Sequence, residues 1–229
     1  MRGRLPTLLA LISLAGCMIM TDPFAPGRIS SAQAGPLLID AAESGDAAGV
    51  RKLIGRDDQL DARDDRGRTA LLAATHANQI ETARLLIDAG ADVNAKDDID
   101  DSPYLYAGAR GHLKILKMTL AHRADLTSTN RYGGTALIPA AERGHVETVR
   151  TLITAGTEID HVNNLGWTAL LEAIILSDGG PNHVAIVRLL VEAGADVTLA
   201  DNDGVTPLQH AKARRYTEIA DILEKAGAR

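Results

Sequence analysis

One spacing governs this chain. Thr69-Ala70-Leu71, Ser102-Pro103-Tyr104, Thr135-Ala136-Leu137 and Thr168-Ala169-Leu170 begin 33 residues apart, and Thr206-Pro207-Leu208 follows after 38. Stepping back 33 from Thr69 reaches Pro36, where the run Leu37-Leu38-Ile39-Asp40-Ala41-Ala42 matches the later units. A segment of this size forms one supersecondary element that cannot bury its own apolar face, so the units must stack on one another. The sequence therefore predicts six units, starting near residues 36, 69, 102, 135, 168 and 206, in one repeat domain over 36–229.

Other columns keep the register. Small residues recur at Ala41-Ala42, Ala74-Thr75, Ala107-Gly108 and Ala140-Ala141. Turn residues recur at Gly45-Asp46, Asn78-Gln79, Gly111-His112, Gly144-His145 and Asn182-His183. Apolar runs such as Leu85-Leu86 and Leu189-Leu190 end in Gly90-Ala91-Asp92-Val93 and Gly194-Ala195-Asp196-Val197. Thr at the head of each unit is suited to cap free N–H groups, with Pro103 or Pro207 in the first turn. The small pairs allow helices to approach closely, and Gly or Asn between helices tolerates a left-handed backbone. The fold class read from this is an all-α repeat solenoid of helix-turn-helix units joined by turn or hairpin fingers.

These residues resemble the ankyrin repeat, over about 36–229. The motifs that carry the resemblance are Gly67-x-Thr69-Ala70-Leu71, Gly204-x-Thr206-Pro207-Leu208, Gly144-His145-Val146-Glu147 and Leu189-Leu190-x-x-Ala193-Gly194-Ala195-Asp196. It implies antiparallel helix pairs in a curved stack, with finger tips and first helices lining a concave recognition face. Several positions depart from the pattern. The family's His after the Thr is Leu72, Leu105, Ile138, Leu171 and Gln209; Arg123 replaces a helix-ending glycine; Pro139 falls close to a helix start; and extra residues stand within 177–182. Gly179-Gly180-Pro181 predicts a protruding loop there, not a longer helix.

Before the repeats, Arg2 and Arg4 precede an uncharged apolar run from Thr7 to Met20, too short to span a membrane comfortably and suited to a signal peptide. Leu14-Ala15-Gly16-Cys17 resembles the lipobox of bacterial lipoproteins, which implies a signal peptide over 1–16 and lipidation of Cys17. Ala32-Gln33-Ala34 offers the alternative of ordinary cleavage, with a leader over 1–34. Residues 17–35, rich in Pro, Gly, Ser and Ala, read as a flexible tether. Either cleavage exports the chain, to the periplasm, to a lipid-anchored position or to the outside.

The formal net charge of −6 argues against a phosphate-backbone binder, and one cysteine excludes an intramolecular disulfide or a multi-Cys zinc site. No phosphate loop, nucleophile elbow or HExxH appears, so neither cofactor nor catalytic residue is assigned. Read from the family's contact columns, the expected partner site comprises Tyr132, Trp167, Asn164, Leu165, Glu142, Arg143, Arg68 and Asp101, for a protein partner and a monomeric scaffold. Trp167, the only tryptophan, is either a contact or a packed ring. Aspartates at 57, 58, 61, 64, 65, 97, 98, 100, 101, 201 and 203 either make local turn hydrogen bonds or steer a basic partner. A different class of function, an enzyme or metal-binding protein, would use Glu142, His145, Glu172, Asp178 and His183, if the fourth and fifth units bring them together.

Overall fold

The computed structural model describes residues 31–54 and 60–229. Among these residues twelve helices form six antiparallel pairs: α1 Ser31–Ser44 with α2 Ala47–Leu53, α3 Ala70–His76 with α4 Ile80–Asp88, α5 Pro103–Arg110 with α6 Leu113–Ala121, α7 Leu137–Glu142 with α8 Val146–Ala155, α9 Ala169–Ile175 with α10 Pro181–Glu192, and α11 Pro207–Ala213 with α12 Thr217–Lys225. First helices stack on first helices, α1 through α11, and second helices on second helices, α2 through α12. The fingers between pairs hold no strand among the described residues and are tight turns. No described helix is long and apolar enough to cross a membrane.

Each structural role falls on the residue that the repeat assigns to it. The hydroxyls of Thr69, Ser102, Thr168 and Thr206 accept the N–H of the third residue on, and Gln209 completes a capping box by accepting from Thr206 N–H. Leu72, Leu105, Ile138 and Leu171, in place of the family's histidine, are buried. The first helices meet through side chains of minimal size: Ala73, Ala107, Ala136, Ala140 and Ala169 have no exposed surface, and a Cβ on Gly108 would lie 2.8 Å from that of Ala136. The second layer buries Leu86, Leu116, Leu152, Leu190 and Leu223. Burial also pushes the Tyr104 phenol up to about 12.

The fourth unit starts differently, and Pro139 is the cause. In the other units after the first, the residue four beyond the cap donates to the cap's carbonyl, as Ala73 does to Thr69 at 2.9 Å and Glu172 to Thr168 at 3.0 Å. Pro139 occupies that place and has no N–H. Ile138 donates to Thr135 instead, at 3.3 Å. The helix then begins at Leu137, and the buried Thr135 hydroxyl has no partner among the described residues.

Arg123 does adopt the left-handed conformation of the glycines that it replaces, with φ 63°. The extra residues of the fifth unit form a loop that is tied down: Tyr216 Oη donates to the Ser177 carbonyl at 2.7 Å, Arg214 to that of Ile175 at 3.1 Å, and Pro181 opens α10. One boundary moves. α1 begins at Ser31, and Ala34 is fully buried, so the folded part takes in residues assigned to the tether, because Ala32-Gln33-Ala34 are good helix formers. Cleavage after Ala34 would cut into α1. Cys17, the rest of the leader, and Asp57 and Asp58 lie outside the described residues.

Candidate functional site

The fingers are built on one column that the motif reading did not isolate. Asp64, Asp97, Asn130, Asn163 and Asp201 each accept, through one side-chain oxygen, the N–H groups of the second and fourth residues on, at 2.9–3.1 Å. This assigns Asp64, Asp97 and Asp201 to local turn bonding. Neighbouring fingers are also joined through the main chain: Asp98 N–H donates to Arg66 at 3.1 Å and Asn164 N–H to Tyr132 at 2.9 Å.

Because the frame uses the Asx column and the backbone, the tip side chains carry none of its hydrogen bonds. The tips are Arg66, Ile99, Tyr132, Leu165 and Asp203. The three central ones are apolar or aromatic and stand out from the surface, at 49%, 54% and 48% exposure for Ile99, Tyr132 and Leu165. Three exposed apolar tips on consecutive fingers form a stripe, with charged tips at either end.

Beside the stripe lies a groove of about 430 Å³ between the fingers and the first helices of the third to fifth units. Asp101, Glu142, Arg143, Tyr132 and Leu165, five of the eight expected contact residues, line it. Asn164 is exposed on the adjoining finger. Arg68 is not available: it is 5% exposed and holds Glu43 at 3.0 Å and Asp64 at 2.7 Å. Its hydrogen bond to Glu43 keeps that carboxyl below its ordinary value. Trp167 is half-buried and does not line the groove; its N–H donates to Asn163.

The sequence points to Glu172 only as a member of the metal or acid–base cluster. The structure places it in the groove, 6% exposed, with Oε1 accepting from Asn163 Nδ2 at 2.8 Å. Burial, and then the charge of Glu142, push its carboxyl up to about 7. Asp101 is raised by burial and by Asp97. The arginines sit at the rim and are engaged. Arg131 lies over the Tyr132 ring at 4.8 Å and 3.9 Å from Asp101, Arg143 donates to the Ala109 carbonyl at 2.8 Å, and Arg110 lies over Tyr106 at 5.8 Å. The Asn163–Glu172 spacing recurs as Asp201–His210, which bond at 2.7 Å, so pairing between finger and first helix was visible in the sequence as a nine-residue offset.

The metal or acid–base cluster does not converge as one site. Glu142 and Glu172 face the groove, whereas His183 is held at the inter-helix turn, with Nε2 2.9 Å from the Glu142 carbonyl and Nδ1 3.0 Å from Asp178. His145, at the preceding turn, packs against Gly111, and burial lowers its basicity. Among the described residues no group of three or more His, Cys, Asp or Glu is placed to hold a metal.

A family model for ankyrin repeats, built as three copies, matches residues 38–130 and 104–201. The chain belongs to the ankyrin repeat family. An ankyrin repeat domain from Acinetobacter baumannii AYE is 64% identical, with 84% of this chain and 98% of that one covered and a TM-score of 0.82. A second ankyrin repeat protein is 46% identical over 83% of this chain and 98% of its own, with a TM-score of 0.80. The ankyrin repeat domain of Bcl-3, a member of the IkappaB protein family, is 27% identical over 84% of this chain and 86% of its own, with a TM-score of 0.76. A search of curated proteins found no match. Ankyrin repeats generally mediate protein–protein interactions, and the tip stripe and groove are the surface to consider in that light.

Proposed function

We propose that this ankyrin repeat chain is a non-enzymatic, exported scaffold of a bacterial cell envelope, which binds a protein partner on the tips and groove of its third to fifth units. The observation that carries the proposal is the stripe of Ile99, Tyr132 and Leu165 on consecutive fingers, backed by the groove. Rigid, exposed aromatic and aliphatic anchors on a pre-organised frame are suited to a hot spot, since little entropy is lost on binding. The leader supports export, and Cys17 supports a lipid anchor as the only membrane attachment. The scaffold acts as a monomer, without a cofactor and without nucleic acid.

Two experiments test the two halves. A photo-crosslinking residue in place of Tyr132 or Ile99 should trap one protein in the envelope fraction, and the same residue at the buried position Leu116 should trap none. Tyr132→Ala should then weaken the trapped complex about tenfold without lowering the melting temperature. Equal trapping at all three positions, or unchanged affinity, overturns the binding face. Labelled palmitate should enter the wild type and not Cys17→Ser; an unlabelled mature protein beginning at Gly35 overturns the anchor.

A further inference from the structure

The floor of the groove carries a feature that a surface for apolar contacts alone does not require. Glu172 projects from α9 where it is more than nine-tenths buried, yet it lines the groove. Only Oε1 is hydrogen-bonded, by Asn163; among the described residues Oε2 has no partner. Oε2 is not sealed in the interior but opens on the groove, so a largely buried carboxylate presents one oxygen there for a donor from outside. The groups on every neighbouring element are engaged elsewhere. From α7, Glu142 adds a second negative charge, while Arg143 is bonded to the Ala109 carbonyl, lies 3.8 Å from Glu142, and opposes the rise of the Glu172 carboxyl only through its charge. From α11, His210 is bonded to Asp201 and Arg214 to the Ile175 carbonyl. From α10, His183 is bonded to Asp178 and the Glu142 carbonyl. None of these is hydrogen-bonded to the open oxygen. The walls are Tyr106, Tyr132, Ile138, Pro139, Leu165 and Leu176, and Arg110, Arg131 and Arg143 also line the groove, each held by a neighbour: Arg110 over Tyr106, Arg131 over Tyr132 and beside Asp101, Arg143 on the Ala109 carbonyl. Aromatic and aliphatic walls over an acidic floor match a side chain with a long apolar stem and a cationic end.

We infer that the groove is a subsite for one lysine or arginine side chain of the partner, whose charged end meets Glu172 while the flanking segment lies on the apolar tips. This rests on the binding face proposed above and specifies its chemistry. The ligand is therefore a basic residue within an otherwise apolar, exposed segment of protein. Binding is linked to protons. The carboxyl is raised by its surroundings and an adjacent cation lowers it, so the complex tightens as pH rises through neutrality and releases a proton in doing so.

The test uses the mature protein and small probes, with nuclear magnetic resonance of the Asn163 side-chain amide and the Gly134 and Leu165 amides as the readout. N-acetyl-arginine amide and N-acetyl-lysine amide are the cationic probes, N-acetyl-norleucine amide the neutral one and N-acetyl-aspartate the anionic one. At pH 8 at least one cationic probe should titrate these three signals saturably and at least fivefold more tightly than the neutral probe. That affinity should fall about tenfold in Glu172→Gln and again in the wild type at pH 5.5. Glu172→Gln keeps the acceptor for Asn163, and an unchanged wild-type spectrum elsewhere verifies its fold. The subsite is overturned if the anionic probe binds there instead, if no cationic probe does, or if Glu172→Gln binds as the wild type does. A separate arm tests the face itself. Ile99→Ser, which is outside the groove, should leave probe affinity unchanged and weaken the partner trapped in the envelope. Probe binding that survives while the partner ignores Ile99→Ser overturns the binding face alone.

Discussion

Replacing Glu172 by glutamine should stabilise the protein, and only at high pH. In the unfolded chain the carboxyl titrates near 4.5; in the folded protein burial and Glu142 move it to about 7. The native state therefore holds the proton more tightly than the unfolded state, and stability falls as pH rises from 4.5 to 7. Each pKa unit corresponds to about 1.4 kcal/mol, so the displacement costs the wild type on the order of 3 kcal/mol once Glu172 is fully ionised. Below pH 5 both states are largely protonated and the cost drops below about 1 kcal/mol. Glutamine is isosteric, keeps an oxygen for Asn163 and never ionises. At pH 8.5 Glu172→Gln should thus melt roughly 6–10 °C above the wild type, and at pH 5 close to it. His76, His112 and His145, whose basicity burial lowers, contribute the opposite slope, with stability lost as pH falls below their ordinary range. They are common to both proteins and cancel in the difference. Melting curves of the pair at four pH values measure it. A stabilisation that is the same at pH 5 and 8.5, or a glutamine variant that melts lower at pH 8.5, refutes the account of Glu172 as a buried, strained acid.

Further outcomes follow from single positions. Arg123→Gly should stabilise by about 0.5–1 kcal/mol in urea unfolding, because the site is left-handed, with φ 63°; a loss would mean that the arginine makes a compensating contact. Gly108→Ala should destabilise by about 1–3 kcal/mol despite the higher helix propensity of alanine, since the new Cβ would lie 2.8 Å from that of Ala136. Arg68→Ala should cost about 1–2 kcal/mol in melting experiments while partner trapping at Tyr132 is unchanged, because Asp64 and Glu43 lose a charged donor but remain partly open to water.

The helical stack was legible because the repeat fixes it: the Thr caps, the small residues of the first helices and the Leu-rich second helices all recur at one spacing. The site was legible only in part. Tyr132, Leu165, Glu142, Arg143 and Asp101 reached the groove because their columns face one side of every unit. Arg68 shares a column with Asp101 and Trp167, one residue before the cap, yet is buried in an ion network. What decides its fate is the residue it meets on the preceding first helix, Glu43, which no column position discloses. Glu172 was assigned to other chemistry for a related reason. Its surroundings, Asn163, Glu142 and the shortened α7, belong to the fourth unit, whereas Glu172 stands in the fifth, and a sequence column describes one unit at a time.

Pro139, the Thr135 hydroxyl, unpartnered among the described residues, and the left-handed Arg123 all fall in the stretch of chain that passes from the third unit to the fourth. In a stack held by nearest-neighbour contacts, such a seam is where thermal breathing should start, and hydrogen exchange should then be fastest there, with both ends still folded. The groove spans this seam, with Tyr106 on α5, Glu142 on α7 and Glu172 on α9. A partner seated there acts as a splint across the joint. Occupancy would then be felt along the whole rod, as slower hydrogen exchange in units that the partner never touches.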